Sequence, residues 1–189
     1  MDLQSLISSG TYAAIFFLMI GNGIMNIPSS QILYLLVGYF VAAKDFSFVG
    51  AVTAGALGNT IGNIITFLLV RKYEHSLARK LLMMNEETFT KVHAALHETF
   101  SKKGMWWLFI GKITPSIKAF VPVVAGLAAT ETIPTSLIFL VASFIWAAAV
   151  IYLGFAFGEH VSLSSFMFVS LAVGFTILFI LYKRIARKL

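Results

Sequence analysis

The sequence predicts an all-α integral membrane protein. It is expected to be an inverted repeat of two re-entrant helical hairpins, each followed by a transmembrane helix, with a further transmembrane helix at the C-terminal end. Three observations predict this. First, the 189-residue chain is 59% hydrophobic and 12% charged, against roughly 45–50% and about 25% in soluble domains; its mean hydropathy is +0.89. Second, most basic residues fall in two clusters. Third, two apolar stretches are broken where a spanning helix should be continuous. A soluble fold of this length cannot cover so much apolar surface, so a water-soluble enzyme is excluded, as is disorder. There is no cysteine, hence no disulfide, thiolate metal site or cysteine nucleophile. The net charge of +6 is a topology signal in such a chain, not a sign of nucleic-acid binding.

The elements follow in order within one membrane domain, residues 1–189. Residues 1–43 contain no Lys or Arg, so the basic n-region of a secretory signal is missing. Region 11–43 is too long for one span and is interrupted by Asn22, Asn26 and Pro28-Ser29-Ser30; it is the first expected re-entrant region. Residues 47–70 meet the need for about 20 apolar residues in a spanning helix. Residues 71–103 read as cytoplasmic amphipathic helices. There Asn85 is a candidate N-cap with Glu86 and Glu87 in the first turn, and Phe89, Val92, Leu96 and Phe100 share one face. Region 105–128 has the length of a span but carries Lys112, Pro115, Lys118 and Pro122 in its middle. Residues 134–157 and 161–182 are the remaining spans.

Charge sets the orientation. The 71–103 linker holds seven Lys/Arg, and Lys183, Arg184, Arg187 and Lys188 form the second cluster; both are expected in the cytoplasm. Span 134–157 must then run outward, so region 105–128 starts and finishes inside and turns back at Thr114-Pro115-Ser116. A re-entrant tip leaves backbone groups unpaired, which is tolerated only inside protein or beside a watery cavity. The turn at Ile27-Pro28-Ser29-Ser30 resembles the second one, and the two following spans run in opposite directions. Interrupted segments at matching places in two inverted halves point to a transport site. The side of the N-terminus is left open, because that end carries no basic residue.

Lys112 and Lys118 are the strongest chemical signal. A cation at the bilayer centre costs about 2.5–3.5 kcal/mol on insertion scales, and no Asp or Glu lies between Glu98 and Glu131 to offset it. Either the two lysines line a hydrated cavity and bind an anion, or their side chains snorkel to the interface. Gly55, Gly58 and Gly62, with Asn59, Asn63 and Thr66, give span 47–70 a small and polar face. That face serves close helix packing, contact with substrate, or both. His93 and His97 lack the Glu of a zinc-protease helix and read as a solvated face. No nucleophile has a base, so no enzyme activity, cofactor or metal site is expected.

From Lys112 to Gly126 the chain reads Lys-Ile-Thr-Pro-Ser-Ile-Lys-Ala-Phe-Val-Pro-Val-Val-Ala-Gly. This closely resembles the signature of the DedA family, also called the SNARE-associated or VTT-domain family: Arg-Phe-x-Pro-x-x-Arg-x-x-x-Pro-x-x-Ala-Gly. Pro115, Pro122, Ala125 and Gly126 match, and Lys112 and Lys118 stand where the family has arginines. Gly58-Asn59-Thr60-Ile61-Gly62-Asn63 is similar to the family's Gly-Asp-x-x-Gly-Tyr. The first family loop, Glu-Asn-x-x-Pro-Pro-Ile-Pro-Ser-Glu, matches at Asn22, Ile27, Pro28 and Ser29. Its two acids fall on Gly21 and Ser30, and the acid of the second motif falls on Asn59. The resemblance implies two facing re-entrant loops and lipid transport, with the proton coupling attributed to the family's acids in doubt here.

The expected function is movement of an anionic lipid, a polyprenyl phosphate or a phospholipid, between leaflets of the cell (inner) membrane. The expected substrate-binding residues are Lys112, Lys118, Thr114, Pro115, Ser116, Ser29, Ser30, Gln31 and Asn59. The alternatives are a proton- or ion-coupled antiporter supporting membrane potential and a non-transporting membrane scaffold. No oligomeric state is implied. For the topology, reporters fused after Val70, Lys103, Thr130 or at the C-terminus are expected to read cytoplasmic, and one fused after Glu159 external. An external reading after Thr130 would make region 105–128 a true span.

Overall fold

The computed structural model describes residues 3–26, 29–45, 47–82, 85–87, 90, 94, 104–114 and 117–158, with side chains from residue 11 and, in the long third helix, as far as Tyr73. The described residues form helices and no strand: α1 (Leu3–Met25), α2 (Ser30–Ala42), α3 (Phe48–Leu82), α4 (Trp106–Ile113), α5 (Val121–Leu127) and α6 (Thr132–Gly158). Glu86, Glu87, Thr90 and Ala94 are also helical, in the expected linker helix, most of which lies outside the described residues. The 161–182 span lies outside them too.

Among the described residues two helices are long and apolar enough to cross a membrane, Phe48–Tyr73 and Thr132–Gly158. They correspond to the expected 47–70 and 134–157 segments. α3 runs on to Leu82 because 71–82 contains no Gly or Pro and is rich in Arg, Lys and Leu, all good helix formers. Pro134 falls in the first turn of α6, where its missing N–H costs no helical bond. The arms of the second broken segment are short. α4 has 8 residues and α5 has 7, giving about 12 and 11 Å of rise. The hydrocarbon core is about 30 Å thick.

The breaks have local causes. α1 ends because Asn26 takes a left-handed φ of 57°, a conformation that Asn tolerates better than most residues, while its N–H still reaches the Asn22 carbonyl at 2.7 Å. α4 stops at Thr114, an extended residue with ψ 119°, as expected immediately before a proline.

Packing organises the helices around α3 and α6. α1 lies along α3, α2 along α6, α5 on α3 and α4 on α6, and α3 packs on α6. Exchanging α1–α2–α3 for α4–α5–α6 leaves these five pairings unchanged, while the smaller contacts of α2 with α3 and of α4 with α5 have no counterpart of that size. α1 runs parallel to α3: Tyr12 Oη accepts from the Ser47 N–H at 2.8 Å, and Thr66 Oγ1 donates to the Gly23 carbonyl at 3.2 Å. At the other end of α3, Arg71 Nη1 donates to the Thr130 carbonyl at 3.0 Å and to Thr132 Oγ1 at 2.8 Å. The end of α3 is thereby tied to the start of α6. Outward faces are apolar and bare: Phe17 is 67% exposed, Trp106 72% and Ile133 75%. Apolar exposure on this scale belongs to a lipid-embedded surface.

Glycines set the tightest contacts. A Cβ on Gly38 would collide with the Ile151 carbonyl of α6, and one on Gly154 with the Leu35 carbonyl of α2. Backbone lies against backbone there, so neither neighbour can rotate away. Between helices in lipid, such close approach supplies much of the association energy. Gly38→Ala and Gly154→Ala should each lower stability by about 1–3 kcal/mol, read as a lower thermal midpoint in detergent. Leu153→Ala, on a 49% exposed position, should leave the midpoint nearly unchanged.

Candidate functional site

The two breaks meet. Ser30 begins α2 just after the first break and is 2% exposed. Lys118 follows the second break, and its Nζ donates to Ser30 Oγ at 2.6 Å. Lys112, in the last turn of α4, donates to Asn63 Oδ1 of α3 at 2.8 Å and more weakly to the Lys118 carbonyl at 3.4 Å. Both lysines are buried, at 5% and 8% exposure. Their partners are neutral, and among the described residues neither has a carboxylate. Aromatic faces replace one: Lys112 Nζ lies 5.5 Å from the Phe139 ring centroid and Lys118 Nζ 4.1 Å from that of Trp146. Such cation–π contacts are worth about 2 kcal/mol or more when desolvated.

An amide chain continues from Lys112. A lysine has no acceptor, so Asn63 must turn its oxygen to Lys112 and its Nδ2 away. That Nδ2 donates to Asn59 Oδ1 at 2.8 Å, and Asn59 Nδ2 donates to Asn22 Oδ1 at 2.9 Å. Ser143 Oγ adds a second bond to Asn59 Oδ1 at 3.0 Å. The chain thus links both breaks through α3. Phe139, Ser143 and Trp146 recur at helical spacing, so one face of α6 presents an aromatic, a hydroxyl and an aromatic in turn.

The residues around the cleft include Asn22, Asn26, Asn59, Asn63, Lys112, Lys118, Ser143 and Trp146. The set contains no carboxylate and no imidazole. The free space is about 20 Å³, enough for roughly one water and too small for a phosphate group. An anion can enter only if the lysines leave Asn63 and Ser30 and the two breaks part.

The candidates named from sequence divide accordingly. Lys112, Lys118, Ser30 and Asn59 converge on the cleft or its hydrogen bonds. At the start of α2, Gln31 Oε1 accepts from Ser29 Oγ at 2.9 Å and, more weakly, from Ser30 Oγ at 3.4 Å, so Gln31 joins the cleft's hydrogen bonds through Ser30 and Ser29 lies beside them. Thr114 Oγ1 donates back to the Ile110 carbonyl at 2.8 Å, as hydroxyls do inside helices, and does not line the cleft. Pro115 and Ser116 lie outside the described residues. Asn22 and Asn63, read from sequence as a break and a helix face, belong to the cleft. Ser143 and Trp146 were absent from the expected set. The only signal for them is a polar-capable pair three residues apart in a span otherwise almost wholly apolar.

The VTT domain family matches residues 27–156, which takes in both breaks, α3 and nearly all of α6. Undecaprenyl phosphate transporter A of Staphylococcus aureus is 22% identical over 155 residues, 80% of this chain and 76% of that protein. The Bacillus subtilis protein of the same name is 27% identical over 146 residues, 75% of this chain and 70% of the relative. The uncharacterized membrane protein YkoX of Bacillus subtilis is 26% identical over 148 residues, 77% and 65% of the two chains. No solved structure matches. With the family match covering well over half of its length, this chain belongs to the VTT-domain family of membrane proteins.

Proposed function

We propose that the protein moves an anionic lipid, carrying a phosphate headgroup on a long isoprenoid or acyl chain, between membrane leaflets. The observation that carries this reading is the pair of buried lysines facing a polar cleft with only neutral partners. Burying two cations without a counter-charge is costly, and an entering anion supplies the missing charge. Two relatives named for undecaprenyl phosphate transport make a polyprenyl phosphate the first substrate to test.

In this reading both broken segments are re-entrant. α4 and α5 are too short to cross, and the Arg71–Thr130 tie supports an entry and exit of the second segment on one side. Tyr12 beside Ser47 supports the same for the first segment, from the opposite side. The exchange symmetry of the packing supports an inverted repeat, with linker and C-terminal tail in the cytoplasm of a multi-pass inner-membrane protein. The lipid headgroup replaces Asn63 and Ser30 as the lysines' partner, while its chain stays in the bilayer. Lys112 beside Phe139 and Lys118 beside Trp146 lie two turns apart along α6 and offer the headgroup successive contacts.

The cleft's lack of titratable acids argues against a proton-driven cycle, since proton relays in membranes use Asp, Glu or His. In liposomes with fluorescent polyprenyl phosphate and a leaflet-restricted quencher, movement should therefore proceed equally with and without a pH gradient. A strict requirement for the gradient would contradict this. Asn59→Asp should slow movement, by giving the lysines an internal anion.

Lys112→Gln and Lys118→Gln keep most of the stem and remove the charge. A hydrogen bond to a charged group is worth about 1.5–3 kcal/mol, so each change should weaken lipid binding roughly 10- to 100-fold. Lys118 should be the more sensitive, because it spans the two halves. Both variants should fold, since a costly buried charge is gone. Wild-type lipid movement in both single variants and in the double variant would show that the two lysines do not hold the lipid headgroup.

A further inference from the structure

Trp146 has a feature that packing does not explain. Its Nε1 atom is buried and has no hydrogen-bond partner. An unmade bond of this kind costs about 1–3 kcal/mol, and buried indole N–H groups ordinarily find an acceptor. Among the described residues the other orphaned side-chain atom is Tyr34 Oη, which lies against Gly55 and is not part of the cleft. Trp146 lines the cleft, and Lys118 Nζ stands over its ring at 4.1 Å.

The geometry separates two functions of one side chain. The ring face holds the ammonium, and the ring edge carries the N–H. A cation above the face leaves the edge free, so an anion at the edge is also adjacent to Lys118. Trp146 Nε1 combines a buried donor that makes no bond with a ring contact to a lysine. The lysines, Asn59, Asn63 and Ser143 already donate within the protein. An anion at Trp146 Nε1 therefore displaces no bond of the indole.

We propose that Trp146 is a ligand-binding residue: its indole N–H donates to an oxygen of the lipid's phosphate monoester while its ring holds Lys118 beside the same anion. This rests on the lipid-phosphate reading of the cleft. It makes Trp146 a donor to the bound headgroup whose bond costs no existing one. The ring gives Lys118 a place to rest once Ser30 is displaced. Trp146 thus favours a phosphate over an uncharged headgroup without carrying a charge itself.

The test uses the full chain in detergent, with farnesyl phosphate and farnesol as probes and thermal stability measured alongside binding. Trp146→Phe keeps a ring for Lys118 and removes the N–H. It is expected to weaken farnesyl phosphate binding about tenfold or more, to leave farnesol binding unchanged, and to raise the midpoint of the protein alone by removing an orphaned donor. A purely structural Trp146 would give the reverse: unchanged phosphate binding in W146F, which overturns the proposal. Lys118→Gln separates the two levels of the argument. If it loses phosphate binding while W146F does not, the cleft stands and Trp146 falls. If K118Q binds as wild type, the lipid-phosphate reading itself falls. Equal binding of inorganic phosphate and farnesyl phosphate would overturn a lipid as the phosphate's carrier. A second measurement is independent of W146F folding. With Trp106 and Trp107 changed to Phe, Trp146 is the sole tryptophan, and its emission should shift with farnesyl phosphate and not with farnesol. No shift would overturn the proposal.

Discussion

The structure depends on keeping two ammonium groups inside a membrane protein without a carboxylate. Neither Lys112 nor Lys118 has an anionic partner among the described residues, so the fold surrounds them with weaker substitutes. These are an amide oxygen, a serine hydroxyl and two aromatic faces. Every substitute comes from another segment. Asn63 lies on α3, Ser30 at the first break, and Phe139 and Trp146 on α6. Solvating the lysines is therefore the same act as bringing the two halves together. The glycine contacts between α2 and α6 and between α1 and α3 serve that end, since a Cβ at Gly38 or Gly62 would hold the backbones apart.

The arrangement also explains why the cleft is both stable and reactive. A carboxylate would neutralise a lysine permanently and leave little attraction for a ligand. Neutral partners hold the cation in place yet lose to any anion that reaches it, because a charge-assisted bond is roughly twice as strong as a neutral one. The bond between Lys118 and Ser30 joins the breaks directly, so replacing it with a phosphate oxygen loosens one half from the other. Substrate entry and opening of the cleft are one event in this account. The absence of acids at Gly21, Ser30 and Asn59 has the same root. In this account an acid at Ser30, which bonds Lys118, or at Asn59, one amide away from Lys112, would compete with an entering anion for the lysines.

Much of this was legible in the sequence. Composition gave the membrane class, α3 and α6 stood out as uninterrupted apolar runs, and Pro28 and Pro115 marked the two breaks. Lys112 and Lys118 stood out because an unpaired cation in an apolar segment has few explanations. What could not be read was which side chains face one another across segments. Thr114 looked like a ligand from its place beside Pro115, yet in a helix's last turn its hydroxyl reaches its own backbone at Ile110. Asn63 and Asn59 sit one turn apart, so a shared role was visible, but not that Lys112 orients the pair. Ser143 and Trp146 were hidden because an apolar span gives no pattern to distinguish the face turned to protein from the face turned to lipid. α3 runs without a break from the 47–70 span into the stretch read as a helical linker, because hydropathy ends at the membrane surface and helix propensity does not.

The most direct test of the central claim is a contact measurement in a bilayer. The protein, labelled at lysine Nζ, is placed in phosphate-free glycolipid membranes doped with polyprenyl phosphate, and dipolar recoupling between lipid phosphorus and lysine nitrogen is recorded by solid-state NMR. The account predicts strong dephasing of lysine signals that vanish in Lys112→Gln and Lys118→Gln, showing that the headgroup sits on the buried pair. Dephasing confined to lysines outside the cleft, such as Lys44, with the Lys112 and Lys118 signals untouched, would contradict it.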